Sequence, residues 1–312
     1  MFDIRPVLCV AGYVLMVLAG AMLLPALADL AAGDGDGAVF VLSAGVTAFF
    51  ALALALGARG DGPVGLSGRQ SFLLTVLCAV LGSVFAALPF AFGRLDLSAT
   101  DAVFEATSGL TTTGATVLTG LGTAPKGVLL WRALLNWLGG AAILVMGVAI
   151  LPSLRIGGMQ VFRMETSDKT RRIKARTRPV AVGLLLVYAG LTLAAGLAFW
   201  AAGMGRFDAV CHALSTVSTG GFSTRDDRLA AWGPAVQWVA VAAMLAGGAN
   251  LALLTGRRRP GHPGLFDESQ TRWYLTVLGV VSLVMGVWHW ATNDVAFATA
   301  LRHAAVATVS VV

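Results

Sequence analysis

The sequence predicts an all-α membrane protein made of repeated units, each a span, a short non-crossing helix, a glycine-containing loop and a second span, preceded by an extra N-terminal two-helix hairpin. Three observations predict it. The 312 residues are 57% hydrophobic and only 12% charged, with a mean hydropathy of +0.80, whereas a soluble domain carries about 25% charged residues. Apolar runs long enough to cross a bilayer recur along the chain. Between them, the stretch Phe104–Thr116 returns in altered form as Cys211–Ser223, both copies passing from a short apolar segment into hydroxyl residues and glycine.

A span needs roughly 20 apolar residues. That rule gives full spans over 6–28, 38–58, 72–92, 128–152, 179–203, 232–256 and 273–291. The first, 6–28, reads as a span rather than a cleavable leader. Apolar segments at 98–110, 207–217 and 295–307 are too short to cross and read as re-entrant or surface helices. The order of span, short helix, loop and span occupies 72–152 and again 179–256, and begins a third time at 273–312; residues 1–58 stand outside it as the added hairpin. Ser310 aligns with Ser108 and Ser215, so the third unit reads as stopping before its glycine. A parallel repeat implies pseudo-rotational symmetry about the membrane normal.

Charge orients the chain. Basic residues crowd Ser153–Arg178 and the segment from Arg257 to Arg272, whereas Asp29, Asp34 and Asp36 share a loop with no basic residue. Positive loops stay in the cytoplasm. Seven spans from a cytoplasmic N-terminus put every basic loop inside and every short apolar segment outside. The basic run Lys169–Arg178 fixes topology and can also touch anionic lipid. It lacks the aromatic residues of a nucleic-acid surface.

Two glycine loops of this kind point to an ion pathway. Non-helical backbone at membrane depth is tolerated where it lines a cavity, and rows of carbonyls there replace the hydration shell of a cation. Thr111, Thr112, Thr113 and Gly114 meet that need in the first copy, and Ser218, Thr219, Gly220 and Gly221 in the second. Glycine lets carbonyls turn toward an axis, threonine stiffens its neighbours, and the short helices aim the negative ends of their dipoles at the cation.

Phe104–Thr116, Trp131–Gly140, Ala149–Pro152, Gly157–Gln160 and Phe207–Thr224 together resemble the Trk-type potassium uptake proteins, the TrkH/KtrB superfamily, and with the N-terminal hairpin the TrkH branch. The resemblance implies potassium-channel-type repeats around one potassium pathway in a bacterial inner membrane, with potassium as cargo at the eight loop residues and no cofactor. It also implies a homodimer and a cytosolic TrkA-like nucleotide-binding partner that gates it. Gly139-Gly140-Ala141-Ala142 departs from the family's usual glycine pattern there. Coupling to protons or sodium stays open.

Two other readings stand beside this one, a membrane-embedded enzyme and a non-conducting assembly subunit. The enzyme would need a clustered acid, base or metal set; the four histidines are scattered and the three cysteines lack metal-like spacing. Glu105 and His212 hold equivalent places in the two short helices, and a buried charge there requires a partner. Arg132 reads either as a pathway charge or as a snorkelling anchor. Asn136 and Asn250 read as interhelical glue, Asp226 and Asp227 as a solvated loop beside Arg225 and Arg228, and Trp131, Trp137, Trp200, Trp232 and Trp238 as interfacial belts. His289 and His303 receive no role.

Overall fold

The computed structural model describes residues 3–60, 66–150, 169–249, 251 and 268–311, with the side chains of 148–150 and 169–178 outside that description. Asn250, the loop stretches 153–168 and 257–267, and Gly157–Gln160 therefore lie outside the described residues. Among the described residues every regular element is helical, and six helical segments are long and apolar enough to cross a membrane. The chain is a multi-pass membrane protein.

The N-terminal hairpin is α1 (Arg5–Ala21), α2 (Leu23–Ala32) and α3 (Gly37–Gly57). Helices α1 and α2 form one span broken at Met22, three residues before Pro25, whose ring lacks the N–H to continue the ladder. Small residues bring α1 and α3 together: a Cβ on Gly12 would lie 2.7 Å from the Ala51 carbonyl oxygen, the close backbone approach that packs helices in lipid. Asp29, in the last turns of α2 rather than in the loop, and Asp34, in the loop after it, cap the long helix that begins at Lys126. Lys126 N donates to Asp34 Oδ2 at 2.8 Å and Gly127 N donates to Asp29 Oδ1, satisfying donors that open a helix.

The span of α4 (Gly68–Ala86) and α5 (Leu88–Phe92) breaks at Ala87 for the same reason, with Pro89 in the first turn of α5. The break frees the Ala86 carbonyl, since Phe90 N turns to Ala87 O instead. Trp131 Nε1 donates to that carbonyl at 3.0 Å, and the ring is fully buried against Phe40. Trp131 is thus a core residue and not part of an interfacial belt; its partner comes from a proline 42 residues away, beyond the reach of a local pattern. Trp137 is also tied inward, donating to Thr192 Oγ1 at 3.1 Å, while Trp200 and Trp238 are exposed.

Short helices α6 (Ala99–Leu110) and α9 (Arg206–Val217) stand where the sequence places them. Between them run α7 (Lys126–Ile150) and α8 (Lys169–Ala201), the latter 33 residues long, so that the basic run 169–178 is helical and continuous with the span. Then come α10 (Pro234–Gly248), α11 (Ser269–Thr292) and α12 (Phe297–Ser310). One apolar core joins the hairpin to α6 and α7, and a second joins α8, α9 and α10.

The expected continuous span 232–256 is not one helix. Helix α10 has 15 residues and ends at Gly248, with Ala249 extended at ψ 161°. Adjacent glycines are poor helix formers, and both are claimed by neighbours: a Cβ on Gly247 would lie 2.7 Å from Val217 O, and one on Gly248 2.5 Å from the Tyr274 hydroxyl. The same contacts occur one unit earlier. Gly139 lies against Leu110 O, and a Cβ on Gly140 would lie 2.6 Å from the Tyr188 hydroxyl. Each glycine pair thus meets the end of a short helix and a tyrosine from the first span of the following unit.

Candidate functional site

The site begins with how α6 and α9 end. In the first loop Thr113 N donates to Ser108 O at 2.9 Å and Thr112 N to Gly109 O at 3.0 Å. In the second, Gly220 N donates to Ser215 O at 2.9 Å and Thr219 N to Thr216 O at 3.1 Å. This paired 6→1 and 5→2 pattern closes a helix with a left-handed residue, a place glycine usually takes. Here it is Thr112 at φ 57° and Thr219 at φ 53°. A β-branched residue in that region is a genuine outlier, costing on the order of 1–3 kcal/mol, and such strain clusters at functional sites.

The two strained threonines line one small cavity of about 100 Å³, with Gly140, Tyr188 and Ser218 among its walls. Beyond them the loops touch, the backbones of Gly114 and Gly221 lying against each other. Of the predicted site residues, Thr111 and Thr113 are exposed with their hydroxyls 2.8 Å apart, and Thr111 Oγ1 donates back to Thr107 O. Ser218 is buried, its hydroxyl donating to Ser215 O at 2.8 Å. Gly220 rests on Asn136, whose Nδ2 donates to Ser215 Oγ at 2.9 Å. Thr112, Ser218 and Thr219 therefore share one cavity and Gly114 meets Gly221, whereas the bonds of Thr111 and Thr113 stay within the first unit; Asn136 is the interhelical glue expected of it.

Behind the loops the two units are built alike and charged differently. Glu105, fully buried, accepts from Thr116 Oγ1 at 2.8 Å and from Val117 N at 3.1 Å. His212 stands in the corresponding place, with Nε2 3.1 Å from Ser223 Oγ and Nδ1 2.8 Å from Asp208 O. In each unit the group on the short helix holds the hydroxyl eleven residues later. That spacing is the signal by which the sequence could have shown the pair.

Arg132 is the partner Glu105 requires. Its side chain is 1% exposed and its Nε donates to Glu105 Oε1 at 2.7 Å. Nη2 donates to Thr116 Oγ1 at 3.0 Å, Nη1 to the Ser223 carbonyl at 2.9 Å, and the guanidinium lies 4.2 Å from the Phe222 ring centre. Burial excludes the snorkelling anchor. Asp226 is likewise engaged, its Oδ2 accepting from Leu121 N at 3.1 Å across the two loops. Tyr188 was not a candidate from sequence. It stacks on Trp137 at 5.4 Å and donates to Trp137 O at 3.0 Å, directly behind Ser218. Among the described residues no cluster of three or more His, Cys, Asp or Glu residues could hold a metal ion.

Residues 44–256 match the family model described as "TrkH: Cation transport protein". The chain is 37% identical over 309 residues to the Trk system potassium uptake protein TrkI of Halomonas elongata, covering 98% of this chain and 62% of that protein. It is 40% identical over 271 residues to the Trk system potassium uptake protein TrkH of Escherichia coli K12, covering 81% and 54%. The crystal structure of the potassium transporter TrkH from Vibrio parahaemolyticus superposes with a TM-score of 0.88 at 33% identity, covering 99% of this chain and 64% of that one. The chain thus spans a little over half to about two thirds of the length of these relatives. With the family model matched through both glycine loops, the chain belongs to the TrkH family of cation transport proteins.

Proposed function

We propose that this chain is the ion-conducting part of a potassium uptake system in a bacterial inner membrane, and that its two loops supply half of the selectivity filter. The carrying observation is the pair of left-handed threonines, closing two re-entrant helices in the same way and lining one cavity. In this reading the carbonyls of Thr111, Thr112, Thr113 and Gly114, with those of Ser218, Thr219, Gly220 and Gly221, replace the water around a potassium ion. Units 72–152, 179–256 and 273–312 are pore repeats, and 1–58 is an accessory hairpin. The relatives named as potassium uptake proteins support potassium as the cargo.

The membrane potential supplies the driving force, about 2.3 kcal/mol per unit charge for each 100 mV. The chain carries transport rather than chemistry. The N-terminus lies in the cytoplasm, where the basic loops face a nucleotide-binding regulatory subunit, and two copies pair in the membrane. Rubidium uptake into potassium-starved cells lacking their own uptake systems tests the reading. Cells expressing the full-length protein should take up rubidium, and Gly114→Ser should lower discrimination against sodium. Uptake that equals the empty-vector control sinks the assignment; unchanged discrimination in the variant removes Gly114 from the filter.

A further inference from the structure

One buried side chain reaches both loops. Arg132 belongs to α7, the second span of the first unit, yet it bonds in two units at once. Toward its own unit it meets Glu105 and Thr116; toward the next it holds the Ser223 carbonyl and lies on Phe222, the residue directly after Gly221. A planar guanidinium presents its donors in a fixed fork, so the Thr116 hydroxyl and the Ser223 carbonyl are held at a set separation. Thr116 and Ser223 are themselves equivalent positions, each following its loop glycine by two residues. The tie therefore joins matching points of the two loops, just outside the contact of Gly114 with Gly221.

The second unit reaches back through Asp226, whose Oδ2 accepts from Leu121 N at 3.1 Å, but it has no carboxylate at the position equivalent to Glu105. The place of Glu105 is taken by His212, whose two nitrogens are engaged by Asp208 O and Ser223 Oγ, between the edges of Phe199 and Trp232. The outer end of the second loop is thus fixed by an imidazole from behind and by the first unit's guanidinium from the side. Glu105, buried and accepting from Arg132, Thr116 and Val117, anchors that guanidinium.

We propose that Arg132 is a positioning residue that sets the spacing between the two filter loops, so that ion discrimination by the second loop depends on the Glu105–Arg132 pair of the first. This rests on the reading of the loops as a filter. It differs from a purely structural role, in which the pair matters only because a lone buried charge destabilises the fold. A charge-neutral double variant separates the two. Glu105→Gln/Arg132→Met leaves no unpaired charge yet has no fork to hold Ser223 O.

The test uses the protein as expressed in membranes, with each variant's abundance and melting temperature in detergent measured alongside. Arg132→Met and Glu105→Gln alone should each lower abundance; the double variant should regain most of it. Discrimination of rubidium over sodium should still fall about tenfold in the double variant, and Arg132→Lys, which keeps charge without the fork, should fall with it. Hydrogen exchange supplies a reading independent of transport: in the double variant, peptides covering 107–118 and 214–226 should both lose protection. Normal protection of the second loop, or wild-type discrimination in the double variant, overturns the proposal. A wild-type protein that takes up no rubidium sinks the functional reading instead, and the exchange result then decides the cross-tie alone.

Discussion

The two loop units share a backbone and differ in what stands behind it. Both short helices end with the same two hydrogen bonds and a threonine in the left-handed region. Both hold a hydroxyl eleven residues on from a polar group of the helix. In the first unit that group is a buried carboxylate joined to a guanidinium; in the second it is an imidazole. The helix end is decided locally, by which carbonyls are left free at a C-terminus. The support is decided by neighbours, and it differs in charge: an ion pair stands behind the first loop, and an imidazole held by Asp208 O and Ser223 Oγ behind the second.

The largest expected effect tests that asymmetry. Removing one partner of a buried ion pair costs about 3–5 kcal/mol, whereas leaving a neutral buried hydrogen-bonding group unpaired costs about 1–3 kcal/mol. Glu105→Ala should therefore lower the melting temperature more than His212→Ala, measured in detergent at fixed ionic strength. Equal losses would mean that the charge of the first unit carries no special weight.

The loop glycines should differ next. Gly114 has φ +71° and lies against the backbone of Gly221, while Gly221 is outside the left-handed region, and a Cβ on it would lie 3.3 Å from Gly114 Cα. Gly114→Ala needs both a strained backbone and a displaced partner loop, at a cost of about 2 kcal/mol or more. Gly221→Ala asks only for a small shift, about 1 kcal/mol or less. Thermal melts of the two variants measure the difference.

A third pair separates the units by a single hydroxyl. Ser215 Oγ accepts from Asn136 Nδ2, whereas Ser108 Oγ, at the matching place, is buried with no partner among the described residues. Ser215→Ala strands the Asn136 amide and should cost about 1–3 kcal/mol. Ser108→Ala removes a group that makes no hydrogen bond and should be neutral or slightly stabilising. A matching loss at both sites would show that burial of the side chain, and not its bond, sets the cost.

How much of this was legible depends on range. Short helices α6 and α9 lie within one residue of their predicted ends, because an apolar run stopping at hydroxyls and glycine is a local signal, while α12 runs three residues past the expected 307. The loop residues followed from the repeat. The core role of Trp131 is invisible in the sequence because its partner is a carbonyl released at the Pro89 break on another helix. The end of α10 is not legible locally, because Gly247-Gly248 look like ordinary residues of an apolar span until Val217 and Tyr274 meet them. Arg132 stayed ambiguous because span-end arginines commonly snorkel, and only three-dimensional packing brings Glu105 and Ser223 to it.

The smallest expected change in stability carries the sharpest consequence for function. Thr112 and Thr219 stand where glycine would be relaxed, yet β-branched residues are kept there in both units. Thr112→Gly should stabilise the fold, or leave it unchanged, by relieving about 1 kcal/mol of backbone strain against the extra freedom glycine gains when unfolded. If the strain serves ion binding, by stiffening the loop around the shared cavity, the same variant should discriminate less well between rubidium and sodium. The two readouts then move in opposite directions, which loss of folding cannot mimic. A Thr112→Gly protein that is both more stable and equally selective would make the left-handed threonine a tolerated residue and not a working one.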